Sequence, residues 1–448
     1  MADRIILRKL EDWSQLNRND SFFKGIDMSR DENFGLHIYN GNLWTSGYVG
    51  VGRLYGANGR TLATDGKEHI VVINPKYNVD PWIMLEKVMT DAEYDDYLAE
   101  MEIEKKYLFK IFYDQPVIKL AQDQGCDADI LYALSFVNLC YSLCKKGIKK
   151  KMIHKEENLI SKVRGKIDIQ KNIRKNTFNG RNDRFFCKYI DFTSDVIENR
   201  ILKATLLKCK NTIERKFKME SGIVSRLYYC LNALRSVKLT AIKNRDFNNA
   251  SVTGLYTYYK PLLKLAKCIL NQKYMSYTAE NGDTVARSVY TIPYMINMET
   301  IFEFYVRTIF REMLDPNKYY LEDYSKKVFL QKGAASTEDS VGGIHLMPYC
   351  IPDIIICDKN TGVPVMVLDA KYKRDDRAVR ADCHQLLSYV LLTGVDKCGF
   401  VLPGSQTVWK QMLNGDYIEL ATPLMQQLKY YELILGNTVD RSEMLKMV

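Results

Sequence analysis

Two short β-branched runs in the last quarter of the chain constrain its fold more than any other stretch. They are residues 350–357 (CIPDIIIC) and 363–371 (VPVMVLDAK). Between them lies Asp358-Lys359-Asn360-Thr361-Gly362, a strong turn sequence, so the spacing predicts a β-hairpin. Each run carries an acid. Asp353 stands near the start of the first, Asp369 near the end of the second, and Lys371 follows two residues later. Side chains alternate along a strand, so Asp369 and Lys371 share one face and Ala370 takes the other. Asp353 can reach that same end of the hairpin. A helix is expected over residues 382–392, where Asp382, Gln385 and Tyr389 recur on one face, and a buried strand over 398–402. Upstream, residues 299–313 (ETIFEFYVRTIFREM) form an amphipathic helical pattern with Glu303 set among Ile301, Phe302, Tyr305 and Ile309.

Acid, gap, then acid-x-lysine is the layout of a metal-dependent phosphodiester-cleaving site. Magnesium and manganese take oxygen ligands and keep several waters, so Asp353 and Asp369 with the substrate phosphate suffice to hold one. The metal then polarises the phosphate and acidifies a bound water. Lys371 offsets the developing negative charge.

These residues resemble the PD-(D/E)xK nuclease superfamily, and the whole chain resembles the McrC family, the nuclease subunit of McrBC and LlaJI-type modified-cytosine restriction systems. The N-terminal domain of that family is matched by Tyr48-Val-Gly-Val51 and by 70–76 (IVVINPK), its central element by 163–168 (VRGKID), and its next helix by Asp191 with 198–203 (ENRILK). Its nuclease core is matched by Phe302-Glu303, Pro352-Asp353, Asp369-Ala-Lys371 and Gln385-x3-Tyr389. The resemblance implies catalytic roles for Asp353, Asp369, Lys371, Glu303 and Gln385. It implies metal ligation by Asp353, Asp369, the Ala370 carbonyl and Glu303, and support from Tyr389 and Lys373. It further implies a separate McrB-like AAA+ GTPase ring as partner, whose turnover this chain raises, and double-stranded DNA, modified in some cases, as substrate. A single nuclease domain cuts one strand, so a double-strand break needs a second copy. The first forty residues and 220–285 match no element of that family.

Length and charge frame the rest. A chain of 448 residues supports two or three domains. No apolar run is long enough to span a bilayer, and the charged start MADRIILRKLEDW does not read as an export signal. Eleven scattered cysteines without C-x-x-C pairs imply reduced thiols in a cytoplasmic protein; Cys140-x3-Cys144 has no partner at zinc spacing, which argues against zinc. The net charge of +10 is concentrated: residues 145–175 hold twelve Lys or Arg against three acids. Within and beside that run, Lys149, Lys150, Lys151, Arg164, Lys166, Arg174 and Arg181 are candidates for contact with DNA phosphates or an acidic partner surface. Conversely, residues 91–104 carry seven acids and no base, a segment suited to a basic protein surface.

The expected architecture is α+β and multidomain. Residues 1–125 form a β-rich partner-binding domain, 126–285 a basic and mostly helical middle region, and 286–448 the PD-(D/E)xK α/β/α nuclease core. Helices are expected over 81–104, 129–147, 183–219, 222–240 and 255–271, and two short strands around Arg164-Gly165. The glycines of 50–56 (GVGRLYG) lack the G-K-[ST] ending of a phosphate loop and are assigned to strand turns. No G-x4-G-K-[ST] occurs in these residues, so no nucleotide motor is encoded here. The competing functional classes are a stand-alone repair or junction nuclease and a non-catalytic DNA-binding adaptor. The length of 1–285 weighs against the first, the intact Asp353, Asp369 and Lys371 against the second.

Overall fold

The computed structural model describes residues 5–17, 19–30, 33, 35–77, 79–94, 98, 107–112, 115–116, 118–121, 128–250, 252–270, 288–324, 328–329, 349–372, 380–404, 408–411 and 429–435. It divides into two compact units. One joins Met1–Ala128 to Tyr274–Val448; the other is Asp129–Lys273. No helix among the described residues is long and apolar enough to cross a membrane.

In the first unit, one sheet runs in the order β1 (Ile5–Glu11), β3 (Lys67–Asn74), β2 (Tyr48–Arg53), β5 (Tyr294–Asn297), β4 (Phe109–Ile111). β1 and β3 are parallel and the other pairs antiparallel. Its apolar run Ile70–Ile73 is buried, and Val71 and Ile73 pack with Phe22, Phe23, Leu43 and Leu54. A nuclease boundary at 286 does not fit this sheet. β5, drawn from 294–297, lies between two strands of the front segment, so the N-terminal sheet is completed from beyond residue 286. The pairing is close. Gly50 sits inside β2, not at a turn, with φ +147°, and a Cβ there would lie 2.1 Å from the Tyr294 carbonyl oxygen. Gly50→Ala should therefore cost about 3 kcal/mol or more, from strain and steric overlap together. An unchanged denaturation midpoint would contradict this.

Helix α1 (Pro81–Thr90) starts on Asp80, whose carboxylate accepts from the Trp82 N–H. It is interrupted at Asp91, with Tyr94 and Leu98 again helical, and residues 95–97 and 99–104 of the expected helix lie outside the described residues. Of the acidic segment, Asp91 and Glu93 pair with Arg311 of this same chain.

β5 leads directly into α2 (Met298–Met313), capped by Asn297. A second sheet follows in the order β6 (Tyr319–Leu321), β7 (Ile354–Asp358), β8 (Pro364–Ala370), β9 (Lys397–Pro403), β11 (Lys429–Leu435), β10 (Val408–Gln411). β7 and β8 form the expected antiparallel hairpin; β9 runs parallel to β8, and α3 (Arg380–Thr393) makes the crossover. β7 and β8 are buried on both faces, which their unbroken apolar runs require. Ile355, Cys357, Val367 and Phe400 pack on Leu386, Tyr389 and Val390 of α3.

The second unit mixes helices with a three-stranded sheet. Its helices are Ala128–Lys146, Ile169–Lys175, Ile197–Lys216, Gly222–Ala233, Asn244–Asn249 and Tyr259–Leu270. The helix expected over 183–219 is in fact two elements, a strand Arg184–Thr193 and then Ile197–Lys216. Residues 184–193 (RFFCKYIDFT) are aromatic and β-branched, and they pair antiparallel with Lys151–Ile160 over ten residues. That long pairing outweighs the local helical tendency. The short strand Lys166–Ile167 joins the other edge of Arg184–Thr193 and does not form a hairpin with Lys151–Ile160.

Candidate active site

Asp353 precedes β7, Asp369 lies near the end of β8, and Lys371 follows it. All three share the parity of Ile355 and Val367, the side that packs on α3. The Ala370 N–H donates to Asp353 Oδ2 at 2.8 Å, which ties the two carboxylates' strands together. Lys371 Nζ lies 2.9 Å from Asp369 Oδ2, and it donates to Gln385 Oε1 at 3.2 Å. Gln385 Nε2 in turn donates to the Tyr389 hydroxyl at 2.6 Å, and that hydroxyl donates to the Ile351 carbonyl at 3.3 Å. A polar chain thus runs from the lysine through α3 back to the main chain just before Asp353. Glu303, on α2, is near enough for its charge to act on Asp353. Lys373 lies outside the described residues.

The electrostatics are dominated by burial of two neighbouring carboxyls. Asp369 is fully buried, and its Oδ1 accepts no hydrogen bond. Burial, reinforced by the charge of Glu303, pushes Asp353 up to about 7. Burial and the charge of Asp353 push Asp369 up to about 8. Burial alone would lower Lys371, but the charges of Asp369 and Asp353 outweigh it and raise that group. A buried carboxylate oxygen with no donor, a second carboxylate beside it and a third nearby make an all-oxygen set that suits a hard divalent cation. Asp353, Asp369 and the Ala370 carbonyl can hold it, with Glu303 at its flank.

A pH dependence follows. Both carboxyls bind protons more tightly in the folded chain than in the unfolded one. The stability they contribute is therefore complete below about pH 4 and is lost as pH rises through 7 to 8. The melting temperature of the metal-free chain should fall between pH 6 and pH 8.5, and magnesium should raise it more at pH 8.5 than at pH 6. Equal metal-induced shifts at both pH values would remove this reading of the two aspartates.

Two contributors are not evident in the sequence. Arg307, one turn after Glu303, is 1% exposed; its guanidinium donates to the Asp353 and Glu322 carbonyls, each at 2.8 Å. It pins the peptide that presents Asp353. The available signal was an arginine on the apolar side of an amphipathic helix. Tyr372, next to Lys371, is buried with its ring 5.1 Å from that of Tyr77 and 6.0 Å from that of Phe302, its hydroxyl beside the carboxyl of Asp12. The front segment therefore buttresses the strand that carries the lysine.

The basic run of the second unit is partly engaged within the chain. Lys149 Nζ pairs with the buried Glu198 at 2.8 Å, so its charge already has an internal partner. Arg164 pairs with Asp191 at 3.0 Å and stacks 4.3 Å over the Tyr189 ring. Gly165, φ +71°, follows because a Cβ there would meet the Lys188 carbonyl oxygen at 2.5 Å. Arg-Gly is thus a device for docking this loop on the strand Arg184–Thr193. Lys150, Lys151, Lys166, Arg174 and Arg181 are exposed. Cys140 and Cys144 have no partner at zinc spacing in the sequence, but folding brings the distant Cys230 to them.

Comparison with known proteins agrees with this picture at the level of family. The sequence matches the model of the McrBC 5-methylcytosine restriction system component over residues 106–402. No curated protein matches it. Among solved structures, it is similar to a chain of a refined half-complex from the tetradecameric assembly of Thermococcus gammatolerans McrB AAA+ hexamers with bound McrC, with 16% identity, 99% of this chain and 100% of that chain covered, and a TM-score of 0.38. It is also similar to a chain of the cryo-EM structure of the Thermococcus gammatolerans McrBC complex, at 14% identity, 69% and 88% coverage, and a TM-score of 0.29. The family match takes in well over half of the 448 residues and includes Asp353, Asp369, Lys371, Gln385 and Tyr389; the chain belongs to the McrBC 5-methylcytosine restriction system component family.

Proposed function

We propose that this chain is the McrC-type nuclease subunit of a McrBC-like restriction system, a metal-dependent deoxyribonuclease with a PD-(D/E)xK core. The observation that carries the reading is the meeting of Asp353, Asp369 and Lys371 at one end of the β7–β8 hairpin, with a buried Asp369 oxygen left without a donor. Asp353, Asp369 and the Ala370 carbonyl would hold a magnesium or manganese ion, which would supply Lewis-acid polarisation of the scissile phosphate and a more acidic bound water. Asp353 and Asp369 hold the site in a fixed spacing because each is tied to the hairpin's main chain or its lysine. Lys371 places a positive charge where negative charge develops on the phosphate, and Gln385 and Tyr389 keep its ammonium from swinging away. Arg307 acts as a positioning residue through the Asp353 peptide.

Family membership in a restriction system, and the absence of a phosphate-loop motif in these residues, favour a separate AAA+ GTPase ring as the partner that this chain stimulates. Two copies of the nuclease must meet for a double-strand break. The decisive experiment mixes the purified chain with its AAA+ partner, GTP, magnesium, and methylated or unmethylated plasmid. Cleavage only of modified DNA, only with GTP and partner, is expected. Double-strand cleavage by the chain alone would sink the subunit reading and favour a stand-alone nuclease.

The exposed cations of the second unit are the proposed contacts to DNA phosphates or to the ring. If they meet DNA, replacing Lys150, Lys151, Lys166, Arg174 and Arg181 by Ala weakens binding, and each lost phosphate contact flattens the slope of log K against log salt by about 0.9. Filter binding over a salt series measures it. A slope and a GTP turnover that both stay at the wild-type value leave these residues as a solvated face.

A further inference from the structure

Cys140 and Cys144 are four residues apart on the helix Ala128–Lys146, so both thiols lie on one face. Cys230 belongs to the helix Gly222–Ala233. The two helices are laid together at this point. Tyr141 meets the Tyr229 ring edge-on at 5.1 Å, the Arg226 guanidinium lies 4.8 Å over Tyr141, and it donates to Asn138 Oδ1 at 2.8 Å. Between these contacts the sulfurs of Cys140, Cys144 and Cys230 all lie within 4.8 Å of one another. Cys140 and Cys230 are fully buried, whereas Cys144 is half-buried and gives the cluster its opening.

We propose that Cys140, Cys144 and Cys230 form a three-thiolate site for a thiophilic d10 cation, zinc or copper(I), that staples these two helices. Three sulfurs about 2.3 Å from one zinc stand about 3.8 Å apart, so the observed cluster needs an inward shift of less than roughly 1 Å. Rotation about χ1 of the half-buried Cys144 supplies much of it. Soft thiolate ligands select these cations over magnesium, so the site does not compete with the all-oxygen set at Asp353 and Asp369. Zinc would complete its tetrahedron with a water on the Cys144 side; copper(I) is satisfied by three sulfurs. Arg226 next to Cys230 offsets the excess negative charge that three thiolates leave on the bound ion. Binding displaces the thiol protons to solvent, so affinity rises with pH. The ordinary alternative is a set of packed thiols, since cysteine is among the most buried residues.

The test uses the full reduced chain, with magnesium in excess to occupy carboxylate sites. Cobalt(II) should bind at one equivalent per chain with a thiolate-to-cobalt charge-transfer band in the near ultraviolet. Zinc should abolish the band at one equivalent. Competition with a zinc chelator and, separately, with a copper(I) chelator assigns the preferred ion, and tight binding of either supports the site. Cys144→Ser should lose the band while keeping its far-ultraviolet circular dichroism; Cys209→Ser, a buried thiol elsewhere in the unit, should keep the band. In the wild-type chain, metal should protect the half-buried Cys144 from alkylation and leave the half-buried Cys268 reactive, a readout that needs no variant. Absence of the band in the reduced wild type, persistence of it in Cys144→Ser, or alkylation of Cys144 at the same rate with and without metal overturns the proposal. So does a Cys140–Cys230 disulfide in the isolated protein with no metal uptake after reduction.

Discussion

Replacing Asp369 with alanine should abolish DNA cleavage, a fall of at least about a thousandfold, while leaving the chain folded. The rate loss follows from the proposed chemistry: a hard divalent cation would need the carboxylate oxygens, and without it neither the water nor the phosphate would be activated. The retained fold follows from the energetics. Asp369 is fully buried beside Asp353, one of its oxygens has no donor, and burial raises it to about 8. Its removal relieves like-charge repulsion in the metal-free chain, so the variant's melting temperature at pH 8.5 should match or exceed that of wild type without metal. The magnesium-dependent rise should disappear. Lys371→Ala should behave differently. It should retain metal binding but lose roughly 3 kcal/mol of transition-state stabilisation, a fall of two to three orders in rate. Its loss also leaves two raised carboxyls without their cation, so the metal-free variant should be less stable than wild type at pH 8.5. Supercoiled-plasmid nicking in the assembled system and calorimetry of the isolated chain measure both properties. Wild-type cleavage by Asp369→Ala would show that the chemistry lies elsewhere.

The parts of this site that the sequence made legible are those set by short-range rules. The hairpin was readable because two β-branched runs flank Asp358–Gly362, and the face shared by Asp369 and Lys371 follows from strand alternation. Gln385 and Tyr389 fall one helical turn apart, which is why their hydrogen bond exists at all. What was hidden depends on tertiary contact. Arg307 is one more charge in an amphipathic helical pattern, yet it is buried because two carbonyls, of Asp353 and Glu322, need its donors. Cys230 lies 86 residues beyond Cys144, so no local spacing could reveal the cluster. The charged and apolar residues of Arg184–Thr193 also satisfy a helical pattern, but a ten-residue pairing partner makes the segment a strand. The glycine-rich run suggests a turn at Gly50, but what requires a glycine there is the approach of the Tyr294 carbonyl from a strand nearly 250 residues away.

That last contact bears on how far the chain can be cut. A fragment of residues 286–448 should fail to fold, even though it contains every candidate catalytic group. Its first strand, β5, loses both hydrogen-bonded neighbours, β2 and β4, and exposes Tyr294, Met295 and Ile296, all buried in the whole chain. Re-exposing three such side chains costs on the order of 5 kcal/mol, comparable with the total stability of many domains. The losses continue along α2, which packs on α1. Arg311 is left without Asp91 and Glu93, and Glu312 without Lys87. Tyr372, beside Lys371, loses the Tyr77 ring against which it packs. Each of these partners lies before residue 112, so the hairpin that carries Asp353 and Asp369 is supported by chain that a minimal nuclease would discard. Expression of 286–448 should yield aggregated or molten material with no cooperative thermal transition. A soluble, cooperatively melting fragment that nicks DNA with magnesium would show that β5 and α2 are dispensable to the core and that the front half serves only in assembly.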